Sequence, residues 1–178
     1  MSSSEPKIRL KYAGLIAFTI QMASIATGFI FTTSITRRLS VDDFGLWQLL
    51  AGMAASASLP LPIVTYWLPR CIARGISAGR TGLTMTFIMA PFGLLLYILL
   101  SYPVAARISG PLTIFFLASI QVPLLYLYGA FKGVATGLRP QASSYGFIVS
   151  EVAKVFLALL LVVWLRMGLS GAILSIIG

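Results

Sequence analysis

The chain alternates long apolar runs with short charged breaks, and the positions of those breaks predict its architecture. Positions 12–36, 44–69, 81–106 and 108–131 contain no Asp, Glu, Lys or Arg. Each run is at least as long as the ~20 apolar residues a helix needs to cross ~30 Å of hydrocarbon. A fifth run, 140–165, has similar length but holds Glu151 and Lys154. A sixth starts at Met167 and has reached only Gly178 where the sequence ends. The pattern predicts an all-α integral membrane protein, an antiparallel transmembrane helix bundle behind a basic segment over 1–11. Five full spans are expected near 12–36, 44–69, 81–106, 111–131 and 143–165. A truncated sixth follows over 168–178, where about 18 Å of helix is available at 1.5 Å per residue. That length is too short to cross, so the segment is either a re-entrant stub or part of a longer polypeptide. The second reading is adopted as the expectation.

Caps and breakers mark the ends of the runs. Ser40-Val41-Asp42-Asp43 has capping-box spacing, which starts the second helix near Val41 and puts acid at its positive dipole end. Ser109-Gly110-Pro111 is expected to open the fourth helix, and Gly137 followed by Pro140 to close it. Pro60, Pro62, Pro91 and Pro123 fall inside spans, where each frees a carbonyl and permits a kink. Gly129, Gly133 and Gly137 repeat every fourth residue, a ridge suited to close helix contact in the hairpin that follows.

Composition agrees with the pattern: 58% of residues are hydrophobic and 10% charged, outside the range of soluble domains. The net charge of +9 does not imply nucleic acid, because the basic residues form no stripe interleaved with aromatics. They set orientation instead. Lys7, Arg9, Lys11, Arg70, Arg74, Arg80, Lys132 and Arg139 fall on one side by loop alternation. Arg37, Arg38, Arg107 and Arg166, with Asp42 and Asp43, fall on the other. The positive-inside bias places the first set and the N-terminus in the cytoplasm, in a multi-pass protein of the cell membrane. Lys7, Arg9 and Lys11 resemble a signal-peptide n-region, but the apolar stretch behind them is too long for an h-region. A retained first helix is expected. There is no His, one Cys (Cys71) and only four carboxylates, which argues against a metal site, a His-based catalytic centre or a disulfide within the chain. No enzyme activity and no cofactor are expected.

Polar residues inside the spans supply the candidate chemistry. Gln21, Ser24, Gly28, Thr32 and Thr36 follow one another at steps of three and four, placing them on one face of the first helix. Two readings stay open: a cavity-lining stripe, with Gln21 its wettest member, or a helix contact made by small and hydroxyl residues. Glu151 and Lys154 share a face of the fifth helix at i and i+3 and can neutralise each other. Ionisable groups at such depth usually face a bundle interior or a water-filled cavity, so the pair is either a substrate or coupling site or an internal pin. Arg70, after Trp67-Leu68-Pro69, is either a phosphate ligand or an interfacial anchor beside Trp67.

Two stretches carry a resemblance. Thr36-Arg37-Arg38-Leu39-Ser40-Val41-Asp42-Asp43-Phe44-Gly45 resembles the turn after the first helix of Wzx-like flippases. These export lipid-linked oligosaccharides and belong to the MOP superfamily, together with the MATE exporters. Gly146 through Glu151, Lys154-Val155 and Gly168-Leu169-Ser170-Gly171-Ala172 are similar to that family's fifth and sixth helices. The similarity runs from about Tyr12 to Gly178. It implies one lobe of a two-lobed transporter that flips an isoprenoid-linked saccharide across the cytoplasmic membrane by alternating access. Glu151, Lys154, Gln21 and Arg70 would be its substrate-binding candidates. The implied partners are the lipid bilayer, the lipid-linked saccharide, and a C-terminal half or second subunit. The first helix carries no charge, which departs from the cationic cavities common in the family. Other readings are a MATE-like small-molecule exporter and a non-transporting membrane scaffold or gene remnant.

Overall fold

The computed structural model describes residues 10–108 and 112–177. Among them every regular element is helical: α1 (Leu10–Thr36), α2 (Val41–Ala57), α3 (Leu61–Ala73), α4 (Gly79–Ile108), α5 (Leu112–Ser119), α6 (Gln121–Leu138), α7 (Pro140–Ala158), a π-helical segment (Leu159–Trp164) and α8 (Gly168–Ile177). Four stretches are long and apolar enough to cross a membrane, and five if the bent pair α2–α3 counts as one. The protein is thus an all-helical chain with the helices of a multi-pass membrane protein. Large apolar side chains such as Phe18, Ile25, Phe29, Phe87 and Leu99 stand exposed on its outer surface. Lipid is the solvent that such a surface requires.

The start of α2 follows the sequence closely. Ser40 Oγ accepts from the Asp43 backbone N–H at 3.1 Å. Asp43 reaches back to the Ser40 hydroxyl at 2.8 Å, rather than to the backbone N–H of a full capping box. The second expected span, 44–69, is not one helix. It breaks between Ala57 and Leu61, and α2 and α3 meet at 54°. Pro60 and Pro62 have no N–H for the carbonyls of Ser56 and Ser58. Leu59 and Leu61 serve those carbonyls instead, at 3.3 and 2.9 Å. Since Leu61 bonds Ser58, the Ala57 carbonyl lacks its helical donor, and the Tyr126 hydroxyl of α6 supplies one at 3.0 Å. A Cβ added to Gly93 of α4 would lie 2.6 Å from the Tyr126 ring and 2.9 Å from the Ala57 oxygen. Only glycine gives the hydroxyl room to reach across.

The fourth expected span, 111–131, is also revised. A turn at Ile120 separates α5 from α6, and helix continues to Leu138. Pro123 accounts for the interruption, because it cannot donate to Ser119 one turn earlier. The expected opening at Ser109-Gly110-Pro111 lies outside the described residues. The expected close near Gly137 is observed: Arg139 takes extended backbone (φ −148°, ψ 95°) before Pro140 opens α7. Pro91 sits inside an unbroken α4, and the fifth span widens into a π turn after Ala158. There the Leu165 N–H donates to Leu160 O at 2.9 Å and Met167 N–H to Leu161 O at 3.0 Å. Arg166 and Gly168 adopt left-handed φ values of 52° and 58° and turn the chain into α8.

Small residues set the packing, as expected where lipid removes most of the hydrophobic drive between helices. The glycine ridge of α6 packs against α3 rather than against the next helix of the hairpin. Added Cβ atoms at Gly129, Gly133 and Gly137 would meet Leu61, Leu68 and Ile72 in turn. The ascending order shows that α3 and α6 run parallel. Leu68, fully buried, lies between Gly133 and Gly82 of α4. The larger core joins Phe31 and Ile35 of α1 to residues of α2, α4, α5, α6 and α8. Through this arrangement α7 lies between α1, α6 and α8, which positions its charged pair.

Candidate functional site

Helix α7 carries Glu151 eleven residues after Pro140, about 16 Å along its axis. Counted from Ser143, where the apolar span begins, the distance is about 12 Å, between a third and a half of a ~30 Å hydrocarbon core. Lys154 Nζ donates to Glu151 Oε1 at 2.7 Å, and this is the one ion pair among the described residues. The Lys154 side chain retains 27% of its exposure and Glu151 14%. The pair is therefore shielded but reachable from one side. Each partner has a second neighbour on α1. Glu151 Oε2 lies 3.2 Å from Thr27 Oγ1, whose proton can also go to the Ser24 carbonyl at 3.0 Å. The Lys154 ammonium stands 5.3 Å from the Phe31 ring centre, within cation–π range.

The other side of the pair faces a groove between α6, α7 and α8 of about 520 Å³. Gln121, Tyr128, Phe131, Phe147, Ser150 and Ser175 contribute to its walls. Ser175 arrives there because α8 turns back along α7. Gly171 permits this approach, since a Cβ at that position would stand 3.1 Å from the Leu161 carbonyl. Chemically, the groove offers a mostly apolar wall, the Gln121 amide, the Tyr128 hydroxyl and a neutral ion pair, while the Ser150 and Ser175 hydroxyls donate to carbonyls of their own helices. A ligand group that binds there can compete for either half of the pair: an anion for Lys154, a cation or proton for Glu151.

The four sequence candidates do not gather into one site. Glu151 and Lys154 do. Gln21 is exposed on α1 and does not line the groove. The inward face of α1 runs through Ile20, Thr27, Phe31 and Ile35, so the Gln21–Thr36 stripe is rotated away from it. Of that stripe Ser24 and Gly28 are half-buried, while Thr32 and Thr36 are exposed. A hydroxyl in a helix can also satisfy itself: Thr36 Oγ1 donates to Thr32 O at 2.6 Å. Arg70 lies near the end of α3, with its guanidinium 3.5 Å from the Tyr66 ring centre. Its stacking partner is thus Tyr66 rather than Trp67, and it lies outside the groove wall.

Sequence reasoning missed Thr27, Phe31, Gln121 and Ser175. Thr27 and Glu151 are 124 residues apart, and no local spacing joins them. Gln121 did carry a signal: it is a lone amide inside a run without charges. No family model, curated protein or solved structure matches the chain, so the role of the groove is argued from its own residues.

Proposed function

We propose that this chain forms one lobe of a Wzx-like flippase, which moves an isoprenoid-linked saccharide precursor between leaflets of the cytoplasmic membrane by alternating access. The observation that carries the reading is the Glu151–Lys154 pair, 2.7 Å apart within the apolar span and set in the wall of a groove of about 520 Å³. An ion pair buried only for packing needs no open side. A pair that borders a groove with Gln121 and Tyr128 can exchange its internal bond for bonds to a polar ligand. The groove is mostly apolar in its walls, which suits a cargo whose saccharide is carried on a lipid. No covalent bond is made or broken, and the pair serves as a polar waypoint whose net charge is zero until a ligand separates it.

Lys154 beside Glu151 favours this reading over an exporter of small cations, for which an unpaired carboxylate would be the better site. The orientation assigned to the chain, N-terminus inside, follows from its arginine and lysine asymmetry. A second lobe or subunit would complete the cavity. In a chain that complements a flippase-null strain, Glu151→Gln, whose amide oxygen still accepts from Lys154 where alanine cannot, is expected to abolish complementation while membrane insertion and abundance stay normal. Undiminished complementation by that variant would remove Glu151 from the mechanism.

A further inference from the structure

Five cations collect at one end of the bundle. Arg70, Arg74, Arg80, Lys132 and Arg139 are all exposed there, where α3 and α6 end and α4 begins. Among the described residues no carboxylate sits at that end. Asp42 and Asp43 belong to the opposite end, and Glu151 is paired within the span. Two of these cations are held in place by aromatic rings instead of by counter-charges. The Arg70 guanidinium carbon stands 3.5 Å from the Tyr66 ring centre, a cation–π contact that leaves its N–H donors available. Lys132 Nζ stands 5.9 Å from the Tyr128 ring centre and 5.2 Å from that of Phe147.

Beside Lys132 runs a groove of about 450 Å³, which shares only Leu125 and Tyr128 with the Glu151 groove. It is lined on α3 by Leu61, Thr65 and Pro69, and on α6 by residues from Leu125 to Thr136, Lys132 among them. From Lys132 to Leu125 it runs about 10 Å along α6 at 1.5 Å per residue, most of the depth of one leaflet of a ~30 Å core, and Thr136 carries it past Lys132 toward the charged end. The glycines at 129 and 133 form its floor. Arg70 follows Pro69 at the charged end of this groove, one step around α3 from its wall.

We propose that this groove holds an acyl chain of one anionic phospholipid, whose phosphate is taken by Lys132 and Arg70. The stretch from Lys132 to Leu125 fits the upper part of a lipid tail, and Lys132 with Arg70, which follows the wall residue Pro69, fits a phosphodiester. A guanidinium with available N–H donors binds phosphate oxygens bidentately, and the ammonium adds a point charge. The site differs from that of the transport reading in its charged groups, because neither Glu151 nor Lys154 lines this groove, although Leu125 and Tyr128 line both.

The purified chain is reconstituted into phosphatidylcholine vesicles with and without phosphatidylglycerol, and two readouts are followed. One is the rate at which a maleimide modifies Cys71, which sits beside Arg70 on α3 and is half-buried. The other is the lipid retained on extraction into detergent, measured by mass spectrometry. Phosphatidylglycerol is expected to slow Cys71 labelling and to be retained preferentially, each cation contributing roughly fivefold. Lys132→Gln and Arg70→Gln should each remove their share, whereas Arg107→Gln at the opposite end should leave both readouts at the wild-type level. Three results would overturn the proposal: retention unchanged in Lys132→Gln, an equal loss in Arg107→Gln, or protection of Cys71 by inorganic phosphate alone in phosphatidylcholine. The second would mean general surface charge, and the third a site for free phosphate.

Discussion

Replacing Gly93 by alanine puts one methyl group where α2, α4 and α6 meet at the break in the second span. The added carbon would lie 2.6 Å from Tyr126 Cε2 and 2.9 Å from both the Tyr126 hydroxyl and the Ala57 carbonyl oxygen. Two of these atoms belong to a fully buried ring and one to backbone, so none can yield at little cost. Overpacking of this kind costs about 1–3 kcal/mol. Displacing the ring also breaks the Tyr126–Ala57 hydrogen bond and leaves a buried carbonyl unserved, a further cost of about 1–3 kcal/mol. Tyr126→Phe keeps the ring and forfeits only the second term. In the Tyr126→Phe background, Gly93→Ala should therefore cost about 1–3 kcal/mol less than it does alone. Titration from mild detergent into sodium dodecyl sulfate, followed through the exposure of Cys71 to a thiol dye, gives the four stabilities. Strict additivity of the two substitutions would refute the argument, since it would show that Gly93 and the hydroxyl do not share one space.

Glu151→Ala should destabilise the chain by about 3–5 kcal/mol because it leaves Lys154 without its counter-charge, and Glu151→Ala with Lys154→Ala should recover most of that loss. The same titration checks this, and a double variant as unstable as the single would contradict it. Leu68→Ala should cost about 2–5 kcal/mol, since the flanking glycines at 82 and 133 offer no side chain to fill the space; a shift in midpoint within error would show that α3 collapses into the gap. In intact cells Cys71 should resist an impermeant thiol reagent and react once the membrane is opened, and labelling from outside would reverse the assigned orientation.

The apolar spans were legible because bilayer thickness imposes a minimum length on every one of them. Their internal breaks were not. Pro60, Pro62, Pro91 and Pro123 all allow a kink by the same chemistry, yet α4 passes through Pro91 unbroken while the second span bends by 54°. The difference at the second span is a donor from elsewhere, the Tyr126 hydroxyl, which takes up the freed carbonyl. The glycine ridge of α6 announced a close contact but not its partner, because α3 and α6 meet through tertiary packing rather than through adjacency in sequence. The same limit applies to the site. Glu151 and Lys154 share a helix face by arithmetic, so three residues of sequence sufficed to pair them. Thr27 and Phe31 join them only when α1 is laid against α7, and the polar stripe through Gln21 lies on a different face of α1.

The junction between α6 and α7 consists of Arg139 alone. A joint of one residue has no slack, so neither helix can slide along its axis without dragging the other. Three glycine contacts also lock α6 onto α3. Force applied at the charged end of the bundle would thus be handed along α7 to Phe147, Glu151 and Lys154, as a lever arm carries torque from its pivot. A longer tether inserted at Arg139 would uncouple the arm from the pivot while leaving both intact.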